Sequence, residues 1–204
     1  MSNPLAHIVD DDPAVCDALK WLLESRGVKA LIWNKPRDFL DASASGLSGC
    51  LVLDVRMPGM SGVELFDRSR KAGCQLPVIF LTGHGDVPMA VEAIKNGAFD
   101  FLEKPYNDNA LVDKIVTAMR HDSVARDRQT SSNTLQTLLE QLTQREQEVM
   151  HKILAGKLNK IIADELGIAM RTVEVHRSRV FEKMQVRSAV ELSQRLRAID
   201  DSSS

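Results

Sequence analysis

Cysteine is scarce in this sequence: Cys16, Cys50 and Cys74 are the only three, far apart and without metal-ligand spacing. Neither a disulfide framework nor a zinc site is indicated, and a reducing, cytoplasmic setting is expected. No run of about 18 apolar residues occurs, and only a short apolar stretch precedes the aspartates at 10–12, so no membrane span and no signal peptide is read. Internal repeats are also missing, and the net charge is only −2. What remains is 44% hydrophobic and 26% charged residues in 204, ordinary for a soluble globular protein and enough for two modest domains with their own cores. Charge divides unevenly: residues 1–141 hold 15 Lys and Arg against 19 Asp and Glu, residues 142–204 hold 11 against 9.

Short apolar runs bounded by turn residues recur at Leu5 to Val9, Cys50 to Leu53, Pro77 to Leu81 and Asp100 to Leu102, with a weaker one at Val28 to Trp33 after Gly27. Helix-like segments lie between them, near 13–26, 35–43, 61–72, 86–96 and 107–120. This alternation predicts an α/β domain of five βα units around a parallel sheet. From His121 to Gln141 strong periodicity fades and the sequence turns polar, the mark of a linker. Beyond it, Thr143 to Ala155, Lys157 to Glu165, Met170 to Met184 and Ser188 to Arg197 all read as helix, and Ser202 to Ser204 as a frayed end. The expected domains are therefore 1–121 and 142–204, joined by 122–141.

Loops at the carboxyl ends of parallel strands form the binding crevice of such a sheet. Asp10, Asp11 and Asp12 follow the first strand, Asp54 ends the third, Thr82 the fourth, and Lys104 follows the fifth. Four strand ends thus deliver carboxylates, a hydroxyl and an amine to one edge. Asp12 has a structural explanation as N-cap, with Pro13 at the first helical position. Asp10 and Asp11 do not, and like charges beside Asp54 are costly without a cation. Magnesium suits the place, because it takes one or two carboxylates and keeps other positions for water and phosphate oxygens.

His7-Ile8-Val9-Asp10-Asp11, Leu51-Val52-Leu53-Asp54-Val55-Arg56-Met57-Pro58-Gly59-Met60-Ser61-Gly62, Leu81-Thr82-Gly83-His84-Gly85 and Phe101-Leu102-Glu103-Lys104-Pro105 stand in the order and spacing of a receiver signature. Over residues 4–121 the chain resembles the receiver domain of two-component response regulators. The resemblance implies a doubly wound, flavodoxin-like sheet with Asp54 as phosphoacceptor for a sensor histidine kinase. It implies that Asp10, Asp11, Asp54 and the backbone carbonyl of Arg56 hold magnesium, that Lys104 and Thr82 meet phosphoryl oxygens, and that Phe101 is the switch aromatic. It also implies a cis Lys104-Pro105 bond and a tight turn at Met57-Pro58-Gly59.

In the second domain, Thr143 and Glu146 stand at capping-box spacing. Two helices broken at Gly156 and Gly167 then have the size of a helix-turn-helix. At 100° per residue, Val173, Val180 and Met184 share one face of the later helix, and Arg171, Val175, Ser178 and Glu182 the opposite one. The first face packs and the second is left for a groove, with Arg177, Arg179, Lys183 and Arg187 at the flanks. Leu142-Thr143-Gln144-Arg145-Glu146, Ala155 to Ala163 and Thr172-Val173-Glu174-Val175-His176-Arg177 resemble the LuxR-type DNA-binding domain over 140–198, which with this receiver points to the FixJ and NarL group. That resemblance implies that Glu174, Val175 and Ser178 face base edges and that Lys160, Thr172, Arg177 and Lys183 contact the DNA backbone. One departure stands out: Ala169-Met170 replaces the usual Ser followed by Pro or an acidic residue, a lost N-cap worth about 1 kcal/mol.

A regulator of this kind is a phosphorylation-dependent transcription factor, not an enzyme beyond its own phosphorylation and dephosphorylation. Its implied partners are the kinase, double-stranded promoter DNA, a second copy of itself through the 86–96 helix and last strand, and RNA polymerase. A phosphohydrolase with an aspartate nucleophile also unites Asp, Thr or Ser, and Lys around magnesium. Such enzymes, however, carry DxD after the first strand, whereas Asp54 lies on the third and precedes Val55-Arg56.

Overall fold

The apolar runs become five strands: β1 (Leu5–Val9), β2 (Ala30–Ile32), β3 (Gly49–Asp54), β4 (Val78–Thr82) and β5 (Asp100–Glu103). They form one parallel sheet in the order β2-β1-β3-β4-β5, the flavodoxin-like doubly wound topology. Helices α1 (Pro13–Ser25), α2 (Pro36–Ser43), α3 (Gly62–Lys71), α4 (Val87–Lys95) and α5 (Asp108–Glu140) follow the strands in turn. In this computed structural model, residues 4–43, 46–83 and 87–200 are described. His84 and Gly85 of the third receiver motif, the expected helix start at 86, and Ser202 to Ser204 lie outside them.

Both faces of the sheet are covered, so its central strands are apolar throughout, not alternating with polar residues. Successive side chains point to opposite faces. Leu51 and Leu53 of β3 and Phe80 of β4 pack with Phe39, Leu65 and Phe66 on one side. Cys50, Val52, Ile79 and Leu81 pack with Leu19, Leu23, Leu111 and Ile115 on the other. All three cysteines are buried and unbridged. Burial, with the Asp122 charge adding to it, pushes the Cys50 thiol well above its ordinary value.

Capping fixes where two of these helices start. The Asp12 carboxylate accepts from the Ala14 amide at 2.9 Å, with Pro13 opening α1. The Ser61 hydroxyl does the same for Glu64 at 3.2 Å at the start of α3.

The segment expected as a linker is helical. α5 continues to Glu140, and the boundary between the two structural units of the chain falls inside it, between Ala125 and Arg126. The reason is compositional: no Pro or Gly occurs between Pro105 and Gly156, so neither breaks the helix before Glu140. Local pairs such as Gln129 to Asn133 at 2.8 Å support it. Leu135 and Leu138 then restore an apolar stripe that packs in the second core.

The second unit completes itself with α6 (Gln144–Leu154), α7 (Asn159–Leu166), α8 (Met170–Lys183) and α9 (Ala189–Asp200). Thr143 and Glu146 form the expected capping box. Val173, Val180 and Met184 are fully buried with Val149, Ile153, Ile162 and Leu192. Gly167 ends α7 at φ 63°, in the left-handed region where glycine carries no Cβ penalty. No described helix is long and apolar enough to cross a membrane.

Candidate functional site

Strand register assembles the pocket. Val9 pairs with Leu53, Asp54 with Leu81, and Thr82 with Glu103, so Asp10, Asp54, Thr82 and Lys104 leave adjacent strands at the same edge. The Lys104 amide donates to the Thr82 carbonyl at 2.7 Å. Its ammonium meets Asp54 Oδ1 at 2.6 Å and Asp10 Oδ2 at 3.1 Å, joining the two buried carboxylates through one cation. The remaining oxygens are held by backbone: Asp54 Oδ2 accepts from the Arg56 amide at 2.6 Å and Asp10 Oδ1 from the Asp12 amide at 2.9 Å. Asp11 stands exposed at the rim. The Lys104-Pro105 bond is cis, as the resemblance implied.

Electrostatics here are balanced between burial and pairing. Burial pushes the Asp54 carboxyl above its ordinary range, against the opposing pull of Lys104. Burial alone would lower the Lys104 amine, but its hydrogen bonds to Asp54 and Asp10 and their charges hold it above its ordinary value. One lysine facing two carboxylates leaves the pocket anionic, so a dianionic phosphoryl group would need a further cation. Among the described residues no three acidic, imidazole or thiolate side chains converge as a ready metal cage. Buried Asp10 and Asp54, with exposed Asp11 beside them and a backbone carbonyl, are nonetheless hard oxygen donors of the kind that suits magnesium, a cation that retains several waters.

Thr82 is fully buried, and its hydroxyl has no hydrogen-bond partner among the described residues. Phe101 is half-buried, pairs in register with Phe80, and packs on the α2-α3-α4 side of the sheet. Sequence reasoning assigned no role to Gly62. A Cβ there would lie 2.0 Å from the Asp54 carbonyl oxygen, so α3 can press against the Asp54 backbone only through a glycine. The signal was a glycine immediately after an N-capping serine, where helices do not otherwise require one.

On α8, Arg171, Glu174, Val175, Ser178 and Glu182 are exposed, and on the neighbouring elements so is Lys160. Thr172 is exposed in the first turn, where Ala169 supplies no side-chain cap. Arg177 is half-buried, its guanidinium 5.2 Å from the Phe181 ring centroid and 3.4 Å from Asn159 Oδ1. Lys183 differs from the rest: its ammonium is engaged within the domain by Glu146 and by the Gln141 carbonyl.

Residues 6–116 match the family described as response regulator receiver domain, and residues 140–196 the bacterial regulatory proteins of the luxR family. The chain belongs to the response regulators. It is 48% identical over 190 residues to the C4-dicarboxylate transport transcriptional regulatory protein DctR of Rhodobacter capsulatus, covering 92% of this chain and 96% of that one. It is 42% identical to the transcriptional regulatory protein FixJ of Bradyrhizobium diazoefficiens over 186 residues, 91% of each chain. Among solved structures it resembles the response regulator StyR, at 40% identity and TM-score 0.89 over 96% of this chain and 99% of that one. Full-length FixJ from B. japonicum gives 40% identity and TM-score 0.60, with 98% of each covered. As a response regulator joining a receiver to a LuxR-type domain, the protein is a two-component transcription factor.

Proposed function

We propose that this response regulator accepts a phosphoryl group on Asp54 from a sensor histidine kinase and, so modified, dimerises and binds promoter DNA. In this reading residues 1–121 are the phosphoacceptor module, 142–204 the DNA-binding module and 122–141 the segment between them. The observation that carries it is the Lys104 ammonium bridging Asp10 and Asp54 beside the buried Thr82 hydroxyl. An Asp54 oxygen attacks phosphorus, the phosphorus–nitrogen bond of the donor breaks, and the electron pair leaves with the imidazole, which takes up a proton. Aspartyl phosphates are an established kind of covalent intermediate, and phosphoryl transfer depends chiefly on positioning and charge neutralisation.

Asp10, Asp11, Asp54 and the Arg56 carbonyl would hold magnesium, which supplies the positive charge that Lys104 alone cannot. Lys104 exchanges its contact with Asp54 for one with a phosphoryl oxygen. Thr82 turns its unpaired hydroxyl toward another, and Phe101 follows into the space released. The face changed by this movement includes α4, with Met89 and Val91 exposed, and β5, and it is the proposed dimer surface. A two-fold dimer requires matching half-sites, so the DNA target is an imperfect inverted repeat read by α8 in the major groove. Glu174, Val175 and Ser178 face the bases, Lys160, Thr172 and Arg177 the phosphates, and RNA polymerase is the further partner on the promoter.

Labelling tests the core of this reading. A small-molecule phosphodonor or beryllofluoride should modify the wild-type chain in magnesium, not in excess chelator, and Asp54→Asn should abolish the modification. Undiminished labelling of Asp54→Asn would overturn the assignment.

A further inference from the structure

We infer that Lys183 is a positioning residue for the DNA-reading helix and not a phosphate contact, a role that rests on the DNA-binding reading above. Lys183 lies next to Met184 and three residues after Val180, both fully buried, which places it beside the packed face of α8. Its ammonium donates to Glu146 Oε2 at 2.6 Å and to the Gln141 carbonyl at 3.0 Å. Glu146 is 2% exposed, and the same oxygen accepts from the Thr143 amide at 2.9 Å. One ammonium therefore ties three places together: the turn that follows α5, the first turn of α6 and the last residue of α8.

A second fastening lies two residues on. Gln185 closes α8 at φ 54°, a left-handed conformation uncommon for a residue with a side chain. The Val186 amide donates to the Phe181 carbonyl at 2.9 Å, and the Gln185 amide to Glu182 at 3.0 Å, a Schellman-type closure. Arg195 of α9 donates to the Gln185 carbonyl at 3.1 Å. At the amino end of α8 Ala169 supplies no side-chain cap, and the hold there is the packing of Val173 in the core. Polar fastenings of the helix thus gather at its carboxyl end, and Lys183 is the one that reaches back to the end of α5.

Glu146→Gln separates the two roles by sign. It keeps the acceptor for Thr143 but removes the charge that holds Lys183. A phosphate-contacting lysine released in this way would strengthen binding to all DNA and steepen its salt dependence. A positioning lysine loses its anchor, so binding weakens and the salt slope stays at the wild-type value.

The probe is a duplex selected from a random pool by the full-length, beryllofluoride-treated wild-type chain, with a scrambled duplex of the same composition beside it. Lys183→Met and Glu146→Gln should each weaken binding to the selected duplex, Lys183→Met by roughly tenfold, comparable to one charge-assisted hydrogen bond. The double variant should be no worse than Lys183→Met, and binding to the scrambled duplex should change much less. A salt slope lower by about one unit in Lys183→Met, equal losses on both duplexes, or losses that multiply in the double variant overturn the proposal. Should Lys183→Met melt below the assay temperature, Glu146→Gln decides alone: weaker binding at unchanged slope supports the proposal and tighter binding overturns it. A wild-type chain that selects no duplex overturns the DNA-binding reading itself, and with it this role.

Discussion

Replacing Thr82 by valine should stabilise the unphosphorylated chain while uncoupling it from its signal. The hydroxyl is fully buried at the end of β4 and unpaired among the described residues. Leaving such a group unsatisfied costs about 1–3 kcal/mol, and a buried methyl in its place contributes about 0.8 kcal/mol. Thr82→Val should therefore gain about 2–4 kcal/mol, raising the urea midpoint by roughly 1–2 M for a slope of about 2 kcal/mol/M. At a buried threonine whose hydroxyl is paired, the same change destabilises, so the direction of the shift is the diagnostic. Urea unfolding of the full chain followed by circular dichroism gives the midpoint, and sedimentation with and without beryllofluoride gives the dimer fraction. Labelling of Asp54 should survive, because Thr82 forms no bond to phosphorus, while the dimer fraction should stay at its unlabelled level. A midpoint lower than wild type would show that Thr82 is satisfied in the folded chain and would refute the reasoning.

Gly62→Ala should cost about 1–3 kcal/mol by overpacking against backbone that cannot swing aside, despite alanine's better helix propensity, and should slow Asp54 labelling. Unchanged stability and labelling would count against the contact between α3 and Asp54. Met89→Asp on α4 should remove beryllofluoride-dependent dimerisation, a coupling of about 1–3 kcal/mol, without affecting labelling; an unaltered dimer fraction by sedimentation would place the interface elsewhere. Burial alone would raise the Glu146 carboxyl, but Lys183 and the Thr143 amide and hydroxyl hold it below the usual carboxylate range. A depressed folded value means stability fully present above the unfolded carboxylate pKa of about 4.3 and lost as pH falls through the folded one. Acid unfolding should consequently be less steep in Glu146→Gln than in wild type, and parallel curves would refute that linkage.

Much of the receiver was legible because its chemistry sits at strand ends, which are marked by short apolar runs. Asp10, Asp54, Thr82 and Lys104 converge since a parallel register leaves them no other edge. Boundaries were less legible where backbone bonds compete. Val28, read as the start of a strand, instead gives its amide to the Leu23 carbonyl and closes α1, so β2 begins only at Ala30. The polar composition of 122–141 suggested a linker and gave no sign that α5 runs through it to Glu140, because polarity alone does not break a helix. The pairing of Lys183 with Glu146 spans 37 residues, and no local pattern announces it. Helical periodicity placed Lys183 at a flank, where side chains reach phosphate and protein equally well, and only the fold distinguishes the two. The opposite faces of α8 were legible, since Val173, Val180 and Met184 differ in kind from Arg171, Ser178 and Glu182.

The burial of all three thiols has a practical consequence for following these motions. Thiol reagents attack the thiolate, and burial raises the pKa of both Cys16 and Cys50. Maleimide chemistry should therefore pass over the native residues while the chain stays folded. A cysteine placed at exposed Ser178 or Met89 would then be the preferred target for a fluorophore or spin label, with Cys16, Cys50 and Cys74 left in the core they help to fill.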